Sequence, residues 1–541
     1  MTSPQGRLRP EHPHSRRVVD LVDAFSLVSA GAAVPADLQA GGVTVASGDA
    51  VAGDVFVALS GAHAHGAAYT RQALDAGAVA VVTDAAGAEV VAALDPAVTV
   101  PVLVAPDPRA LAGDLAAWLH EHPGRRLTTV GITGTNGKTT SSYFVEAALR
   151  RVHRSTVVMG TVELKIGDEA IESPRTTVEA PVVQSILSLG LERGATAAVM
   201  EVSSHALALG RMNGLRLDVA GFTNLQRDHL DFHGDMDGYF AAKSLLFTPE
   251  HARRGVVVVD DEWGRRLMAE ATIPVESVST HVGAPEGRTA DWAVTEADIG
   301  LDGVGSSFTL RGPDGVAHVA ASPLPGLVNV SNAALAVVLA HRAGVDLDVA
   351  IDAVAHAHEI PGRMERVIER RPAPDARPLC LVDYAHTPDA LVLALEAVRP
   401  ITPGRLVIVF GSDGDRDRGK RPIMGRIAAR LADVLVVTDE NPRSEEPASI
   451  RAAILSGVRE ERPDLIDVHE ATDSRTQAIH DALELAGEQD TIIITGKGHE
   501  PTQEIAGVFH RYNDRDVLRA ADAALSARAS VGAATTPGPV A

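Results

Sequence analysis

A strand, a glycine-bearing turn and the start of a helix follow one another between Leu127 and Leu149. Leu127–Val130 is a β-rich run, and Tyr143–Leu149 has the apolar spacing of a helix. In such a unit, backbone N–H groups and the helix N-terminus bind phosphate, a lysine reaches the outer phosphates and a threonine hydroxyl can hold Mg²⁺. The sequence therefore predicts a nucleoside-triphosphate site in the turn, formed by Gly134, Thr135, Asn136, Gly137, Lys138, Thr139 and Thr140.

Lysine is scarce in this chain. Of 49 lysine and arginine residues, five are lysine: Lys138, Lys165, Lys243, Lys420 and Lys497. Because arginine supplies most of the positive charge, we expect the lysines to concentrate where a primary amine is chemically required. Lys138 in the turn fits this expectation. The same usage draws attention to Lys243, which would otherwise be interpreted as a solvated residue on a helix-like segment.

Composition excludes several classes of protein. The single cysteine, Cys380, excludes an intramolecular disulfide and a cysteine-based zinc site. A formal net charge of −22 argues against nucleic acid as a partner. Residues 1–17 lack the apolar core of a signal peptide, and no run approaches about 18 uninterrupted apolar residues. We expect a cytoplasmic, monomeric protein without a membrane span.

The order of the predicted elements divides the chain into three blocks, at residues 1–124, 125–360 and 361–527. The first block has β-rich runs at Asp54–Leu59 and Ala78–Val82 with a helix-like Tyr69–Ala76 between them. Strands alternate with helices in the second block, which indicates a parallel sheet with helical faces. Its further predicted strands are Ser155–Met159, Ala197–Met200, Val219–Thr223 and Val256–Val259. Residues 528–541 are predicted to form a disordered tail because the end of the chain is rich in Ala, Thr, Gly and Pro.

The third block repeats the strand-then-loop order, with predicted strands at Leu379–Val382, Leu406–Phe410, Val434–Val437 and Thr491–Thr495. Polar residues follow each strand at once. Since the carboxyl ends of parallel strands lie at one edge of a sheet, these loops are expected to form one functional surface. The segments are Asp383–Pro388, Gly411–Arg416, Asp439–Arg443 and Gly496–Glu500.

Two strand ends of the second block carry groups suited to Mg²⁺. Glu201 follows the predicted strand ending at Met200, and His229 follows the strand ending near Thr223. Taken singly, each would more often be a structural or merely polar loop residue. Their position on strands after the phosphate loop favours a role in holding the metal of a nucleotide complex.

These segments together resemble the Mur ligase family, the ATP-dependent amide-bond formers of peptidoglycan precursor synthesis. They occur in the family's order over about four-fifths of the chain. The resemblance implies an α/β protein with three domains: a small N-terminal uridine-binding domain, a central phosphate-loop ATPase domain with a mainly parallel sheet, and a C-terminal Rossmann-like domain. The matching segments are Thr133–Thr140, Glu201–His205, Asn224–His229, Lys243 after Phe240, Asn329–Asn332, Pro361–Glu365, Asp383–Pro388 and Gly496–Glu500.

Within the family, the chain is most similar to members that add meso-diaminopimelate to UDP-N-acetylmuramoyl-L-Ala-D-Glu. Their Asp-Asn-Pro-Arg signature is similar to Glu440-Asn441-Pro442-Arg443, in which the first position departs from the pattern but keeps a carboxylate. The first block departs more. An Asp-Ser-Arg motif of the uridine site corresponds to Ala46-Ser47-Gly48, so only Ser47 is retained.

The resemblance also implies roles for individual residues. ATP phosphorylates a substrate carboxylate, and the acyl phosphate is then attacked by the incoming amine. Lys138, Thr139 and Glu201 would serve the ATP phosphates and Mg²⁺. Lys243, as a carbamate (N6-carboxylysine), would hold a second Mg²⁺ together with His229. The implied contacts are Asn332, Arg363 and Asp383 for the nucleotide, Ser47, Thr176, Thr177, Ser203 and Arg211 for the UDP-muramoyl dipeptide, and Arg416, Glu440, Asn441, Pro442, Arg443, Gly496 and Glu500 for the amino acid.

Three alternatives remain open from the sequence. One is a family member with a different acyl acceptor, such as a tetrahydrofolate polyglutamate ligase or the D-Ala-D-Ala-adding ligase. Another is the same reaction with L-lysine or L-ornithine, which Arg443 disfavours because a monoamine side chain has no second carboxylate. The third is a regulator that binds ATP without ligation, which would not need Lys243, His229 and the C-terminal strand-end residues together.

Overall fold

The computed structural model describes residues 8–61, 63–283, 289–300, 305–373 and 375–534. Its described residues form two compact units. The first comprises Met1–Thr295, Arg311–Val316 and Ser331–Val354, and the second comprises Glu296–Leu310, Ala317–Val330 and Ala355–Ala541.

A small sheet occupies the N-terminal part of the first unit. Four of its strands are parallel, and Val28–Ser29 is antiparallel at one edge. Its apolar residues, such as Val55 and Val82, are fully buried under the helix Pro108–Leu119. The order across the sheet is Val28–Ser29, Val102–Val104, Ala80–Thr83, Asp54–Val57 and Gly42–Thr44. The helices are Val18–Phe25, Thr70–Asp75, Ala85–Ala92 and Pro108–Leu119, and Arg16–Arg17 pairs separately with Gln39–Ala40.

The central sheet of the first unit places the phosphate loop. Its middle strand, Thr128–Thr133, is buried at Val130 and Ile132 and is flanked by two parallel strands, Ala197–Glu201 and Leu217–Phe222. The three strands are buried along most of their length, with polar residues such as Thr128 and Asp218 near their beginnings. The order across the sheet is Glu169–Glu172, Glu163–Ile166, Thr156–Met159, Ala197–Glu201, Thr128–Thr133, Leu217–Phe222, Ala252–Val258, Val275–Ser279 and Trp292–Ile299.

Helices follow the strands of this sheet, as the alternating pattern predicts. The helix after the phosphate loop begins at Lys138, so the run Tyr143–Leu149 with helical spacing forms its later part and the polar Lys138–Ser142 its beginning. The helices of the middle of the chain are Lys138–Leu149, Ala180–Glu192, Ser204–Ala208, Leu230–His233, Met236–Ser244, Glu262–Glu270, Leu327–Arg342 and Leu347–Ala355. Two further strands are Ser306–Arg311 and Ala317–Ser322.

The second unit holds a six-stranded sheet, and four of its strands match the four predicted strands to within one residue. Five strands are parallel, and Glu365–Ile368 is antiparallel at one edge. The order is Glu365–Ile368, Leu379–Val382, Thr491–Ile494, Leu406–Phe410, Val434–Val437 and Val468–Glu470. Helices Pro388–Val398, Lys420–Leu431, Pro447–Glu461, Arg475–Leu485 and Asp514–Ala534 accompany it, with a hairpin of Thr502–Ile505 and Val508–Arg511.

The predicted disordered tail is wrong over its first part. The last helix continues to Ala534, so residues 528–534 are helical, and residues 535–541 lie outside the described residues. Alanine is the strongest helix former, and Ala527, Ala529, Ala533 and Ala534 extend a helix that has already begun at Asp514. No helix in the described ranges is long and apolar enough to cross a membrane.

Candidate active site

Two glycines shape the phosphate loop. Gly134 has φ 145° and Gly137 has φ 90°, in the left-handed region that a side chain disfavours. A Cβ on Gly134 would collide with the Thr223 hydroxyl, and one on Gly137 would collide with the Asn332 amide. The strand end and the helix Leu327–Arg342 therefore approach the loop so closely that only glycine fits.

Side chains from the next strand end hold the loop in place. Asn136 N donates to Asn224 Oδ1 at 3.0 Å, and Asn136 Nδ2 donates to Gln226 Oε1 at 2.7 Å. Thr135 Oγ1 accepts from Gln226 N at 2.9 Å and lies 3.2 Å from the Tyr239 hydroxyl. The loop conformation is thus fixed before a ligand arrives, which favours tight and directional phosphate binding.

Lys138 and Thr139 open the helix that follows the loop. Lys138 Nζ donates to the carbonyl oxygens of Gly134 and Thr135, at 3.0 and 2.8 Å, so its ammonium lies over the loop. Thr140 is buried one residue further along the same turn. The loop therefore presents one cationic group at the positive end of a helix, an arrangement suited to phosphate.

Glu201 faces the hydroxyl of Thr139. The Thr139 hydroxyl oxygen lies 3.0 Å from each carboxylate oxygen of Glu201 and donates its hydrogen to the carboxylate. Thr161 N and Thr161 Oγ1 also donate to Glu201, at 2.8 and 2.9 Å, and hold the carboxylate in position. Oxygen donors of this kind are the ligands that Mg²⁺ prefers, so Thr139 and Glu201 fit a magnesium ion.

Lys243 is a buried amine beside the phosphate loop. Its side chain is 1% exposed, and Nζ donates to the Gly134 carbonyl at 2.7 Å and lies 4.6 Å from the centre of the Tyr239 ring. Burial, followed by the neighbouring Lys138 ammonium, moves the pKa of Lys243 well below its ordinary value of 10.5. The surface-lysine interpretation is excluded by this burial, which favours the neutral amine over the ammonium.

His229 lies in a cluster of rings next to this lysine. Its ring centre is 4.8 Å from that of His205 and 6.1 Å from that of Tyr239, and its Nε2 is 3.4 Å from Asp228. Burial lowers the pKa of His229, with His205, Lys138 and Lys243 acting in the same direction and Asp228 opposing them. The described residues contain no group of three His, Cys, Asp or Glu side chains that could hold a metal ion. A second Mg²⁺ beside His229 would therefore need oxygen donors that an unmodified Lys243 does not supply.

The residues expected at the muramoyl dipeptide form one hydrogen-bonded group on the far side of Glu201. Thr177 Oγ1 donates to the Glu201 carbonyl at 2.9 Å and accepts from Ser203 N at 3.0 Å. Thr176 Oγ1 lies 3.0 Å from Thr161 Oγ1, whose hydroxyl donates to Glu201. Arg211 pairs with Glu179 at 2.9 Å, and its buried Nε has no hydrogen-bond partner among the described residues.

Ser47 belongs to the N-terminal sheet of the same unit. It opens the short 3₁₀ helix Ser47–Asp49, and its hydroxyl donates to Gln72 Oε1 at 2.9 Å. Its role at the uridine remains a prediction from the motif.

In the second unit, a buried lysine organises the loop after the strand Thr491–Ile494. Lys497 is fully buried and donates to Asn441 Oδ1, Glu500 Oε2 and the Thr502 carbonyl, at 2.8, 2.9 and 2.7 Å. Asn441 Nδ2 also donates to Glu500 at 3.1 Å. Asn441 and Glu500 are thus brought together, as expected for one pocket, but the ammonium partner of Glu500 is Lys497.

Arg443 and Arg416 differ in their surroundings. Arg443 has φ 54° and donates to Glu504 at 2.8 Å, with Asp413 at 3.5 Å, while Pro442 precedes it in the same loop. Arg416 lies on an exposed part of the loop Gly411–Lys420. In this structure Arg443 is neutralised by the chain's own carboxylates, so a ligand carboxylate would have to exchange with Glu504.

Glu440 is buried beneath the turn at Gly496. It is 2% exposed, and its Oε2 has no hydrogen-bond partner among the described residues. A Cβ on Gly496 would collide with this carboxyl group. Burial, and next the nearby Asp413, raise the pKa of Glu440 from 4.5 to about 8.

The residues expected at the nucleotide fall into both units. Asn332 lies beside Gly137, with its amide oxygen 3.4 Å from Ser141 Oγ. Asp383 accepts from Met364 N and Ala385 N, each at 2.9 Å, and the Arg363 guanidinium lies over the Tyr384 ring. Burial raises the pKa of Asp383. The nucleotide roles of Arg363 and Asp383 remain predictions.

Comparison with known proteins identifies the family. A UDP-N-acetylmuramoyl-L-alanyl-D-glutamate–2,6-diaminopimelate ligase of Streptomyces coelicolor is 47% identical over 419 residues, 76% of this chain and 79% of that protein. The UDP-N-acetylmuramyl-tripeptide synthetase of Leifsonia xyli subsp. xyli is 46% identical, with 76% and 79% covered. The chain belongs to the Mur ligase family. Its segments 39–119, 132–340 and 362–498 match the family's catalytic domain, middle domain and glutamate ligase domain.

Solved Mur ligase structures have the same architecture. A UDP-N-acetylmuramoyl-L-alanyl-D-glutamate–2,6-diaminopimelate ligase superposes with a TM-score of 0.64 at 32% identity, covering 92% of this chain and 98% of that one. MurF from Acinetobacter baumannii shares the fold at 20% identity, with a TM-score of 0.62 and 90% and 96% covered. The predicted three-domain α/β fold is confirmed, while the predicted domain boundaries stay untested.

Several residues that support the Mur ligase site were missed from the sequence. Thr161 and Tyr239 contact Glu201 and Thr135, respectively, and neither was selected, while Gln226 lies inside the Asn224–His229 segment but was given no role of its own. Lys497 could have been selected, because the scarcity of lysine draws attention to it.

Proposed function

We propose that this Mur ligase uses ATP to join meso-diaminopimelate to UDP-N-acetylmuramoyl-L-Ala-D-Glu, in cytoplasmic peptidoglycan precursor synthesis. The observation that carries the proposal is the phosphate loop with Lys138 above it and Thr139 bonded to Glu201. The names of relatives at 42% to 47% identity support the choice of substrates.

The reaction begins when a carboxylate oxygen of the dipeptide attacks the γ-phosphorus of ATP and ADP leaves. The amine of the second substrate then attacks the acyl carbon, and inorganic phosphate leaves as the amide bond forms. Both steps bring anionic groups together, so positioning and charge neutralisation supply most of the catalysis. Lys138 and the N–H groups of the loop bind the ATP phosphates.

Mg²⁺ held by Thr139 and Glu201 would neutralise phosphate charge. Glu201 is positioned for this by Thr161, whose two donors fix both carboxylate oxygens. Through Thr161, the Glu201 carboxylate is linked to Thr176. The Glu201 carbonyl accepts from Thr177, whose hydroxyl in turn accepts from Ser203 N. We therefore assign the muramoyl dipeptide to this side of Glu201, with Arg211, which donates to the Thr177 carbonyl at 3.4 Å, as a cationic group beside it.

Lys243 is proposed to work as a carbamate. Its neutral amine nitrogen attacks CO₂ and loses a proton, which gives a negatively charged group with two oxygen donors. Burial and the neighbouring Lys138 ammonium lower the pKa of Lys243, which favours the neutral, nucleophilic amine. Together with the neutral imidazole of His229, the carbamate would complete a donor set that the unmodified chain lacks.

The amino-acid pocket is assigned to Asn441, Arg443, Gly496 and Glu500, with Glu440 beneath them and Arg416 on the neighbouring loop. A guanidinium can pair with the distal carboxylate of meso-diaminopimelate in a bidentate geometry, with Arg443 exchanging Glu504 for it, whereas lysine offers no such carboxylate. Lys497 and Asn441 hold Glu500 in position, so Glu500 can accept from the distal ammonium of the substrate.

An amino-acid panel tests the proposed specificity. Purified protein is supplied with ATP, Mg²⁺ and UDP-N-acetylmuramoyl-L-Ala-D-Glu, and phosphate release is measured with meso-diaminopimelate, L-lysine and L-ornithine. We expect kcat/KM for meso-diaminopimelate to exceed that for lysine by on the order of 10²–10³-fold. Arg443→Ala and Arg416→Ala should reduce this ratio, and the exposed Arg459→Ala is the matched control. Equal or better use of lysine or ornithine would leave the ligase assignment standing and overturn the choice of amino acid.

A further inference from the structure

A cavity of about 480 Å³ opens where the parallel strands of the central sheet begin. Its walls include Thr128, Thr196 and Asp218, at or beside the first residues of the strands Thr128–Thr133, Ala197–Glu201 and Leu217–Phe222. The phosphate loop follows the other end of the first of these strands. A six-residue strand spans about 20 Å, so the cavity is separate from the ATP phosphates.

Five arginines line this cavity: Arg125, Arg126, Arg253, Arg254 and Arg342. Two of them have carboxylate partners, since Arg253 Nε lies 3.2 Å from Asp218 and Arg342 Nε lies 2.7 Å from Glu276. The other three, Arg125, Arg126 and Arg254, are exposed and make no side-chain hydrogen bond or ion pair with any described residue.

Asp218, the carboxylate in the cavity wall, already has hydrogen-bond and ion-pair partners within the protein. Asp218 accepts from Thr129 N and Thr129 Oγ1, at 3.0 and 3.2 Å, in addition to its pairing with Arg253. The cavity therefore has an excess of positive charge from two separate segments, residues 125–126 and the start of the strand Ala252–Val258. This excess is local, in a chain whose formal net charge is −22.

An arginine cluster of this kind is chemically matched to phosphate. The planar guanidinium donates two parallel N–H bonds to neighbouring phosphate oxygens, and three such groups can serve more than one phosphate. A volume of about 480 Å³ is in the range of small-molecule sites and exceeds the need of a single phosphate ion. Because the walls are concave, a compact ligand fits better than the flat surface of a macromolecule.

We propose that this arginine-lined cavity is a second anion site, which binds a small molecule carrying two adjoining phosphate groups. The diphosphate bridges residues 125–126 and Arg254, while Arg253 and Arg342 keep the neighbouring carboxylates neutralised. The site is independent of the phosphate loop and of the ligation chemistry.

Calorimetric titration with pyrophosphate tests the site, with the phosphate loop filled beforehand by saturating ADP and Mg²⁺. After subtraction of the heat of the same titration without protein, which contains the Mg²⁺–pyrophosphate complexation, we expect one equivalent of pyrophosphate to bind per protein with a dissociation constant below about 1 mM. Inorganic phosphate should bind at least about tenfold more weakly, since it satisfies fewer guanidinium groups. Raising the salt concentration should weaken binding, because the arginines are exposed.

The variant Arg126→Gln/Arg254→Gln removes two charges and no ion pair, so it should fold and ligate like the wild type. We expect it to bind pyrophosphate at least about tenfold more weakly than the wild type. The matched control is Arg459→Gln/Arg519→Gln, which removes the same charge from exposed positions of the second unit and should bind like the wild type. The absence of saturable binding, equal binding of phosphate and pyrophosphate, or unchanged binding by Arg126→Gln/Arg254→Gln would each overturn the proposal. None of these outcomes affects the ligase assignment, which the amino-acid panel tests separately.

Discussion

Lys243 is the residue whose proposed role depends most specifically on a primary amine. Lys243→Arg keeps a positive charge but cannot form a carbamate, because a guanidinium does not react with CO₂ under these conditions. We expect the variant to lose nearly all ligation, measured as phosphate release at saturating substrates. Circular dichroism and ADP binding should stay close to the wild type.

Chemical rescue separates loss of the carbamate from loss of packing. Lys243→Ala leaves a space at a side chain that is 1% exposed, which a short carboxylate can enter. Added acetate or formate should therefore restore part of the activity of Lys243→Ala and none of that of Lys243→Arg. Turnover of Lys243→Arg at the wild-type rate would remove the carbamate from the mechanism.

Ionisation of Glu440 should make the free energy of unfolding depend on pH. Burial raises the pKa of Glu440 from 4.5 to about 8 in the folded protein, so the stability present below pH 4.5 is lost as the pH rises through about 8. Glu440→Gln removes this loss. In urea unfolding between pH 5 and 8, wild type should lose stability relative to the variant by at most about 1.4 kcal/mol per pH unit. The exposed Glu396→Gln should follow the wild type, and parallel curves for wild type and Glu440→Gln would show that Glu440 ionises normally.

Residues with a fixed spacing could be identified from the sequence, and residues that support them could not. Lys138 and Thr139 belong to a spaced motif, and Glu201 was located because it follows a strand. Thr161 comes from a different loop and meets Glu201 only in the folded chain, so its role depends on tertiary structure. The same is true of Glu504, which neutralises Arg443 across 61 residues of sequence.

At the scale of the element, two substitutions in the helix Lys138–Leu149 test whether Thr139 helps to hold Mg²⁺. Thr139→Ala removes the hydroxyl that bonds to Glu201, and Ser142→Ala removes a buried hydroxyl that has no hydrogen-bond partner among the described residues. We expect Thr139→Ala to raise the Mg²⁺ concentration needed for half-maximal activity by about tenfold or more. Its affinity for ADP without metal should change little. Ser142→Ala should behave like the wild type, and an equal effect of both changes would contradict the magnesium role.

Elements could be predicted where the pattern of apolar residues decides them. The strand Leu406–Phe410 is fully buried, and its run of five apolar residues gave both of its bounds. Helix ends were less accurate because polar and alanine-rich turns carry no apolar period. Residues 528–534, for example, are helical although a tail was expected.

At the scale of the whole molecule, the division into two compact units predicts how the protein unfolds. Each unit has its own buried apolar cluster, around Phe222 in the first and Val409 in the second. Two transitions are expected in differential scanning calorimetry. ADP with Mg²⁺ should stabilise the unit that contains Lys138 more than the second unit, by about 2.7 kcal/mol of unfolding free energy at a ligand concentration of 100 Kd.

Lys138→Ala provides the control for that experiment. It should unfold in two transitions like the wild type, but ADP should shift the first unit much less because the phosphate has lost its cationic partner. A single transition, with both halves shifted equally by ADP, would show that the two units unfold cooperatively.

The burial of lysine has a practical consequence for anyone handling the protein. Lys243 and Lys497 are at most 1% exposed, and Lys138 donates to two main-chain carbonyls. Amine-directed reagents will therefore find few side chains to react with in a protein of 541 residues. Among the described lysines, dye labelling, cross-linking and sensor-chip coupling through amines can reach only the three that are partly exposed, Lys138, Lys165 and Lys420.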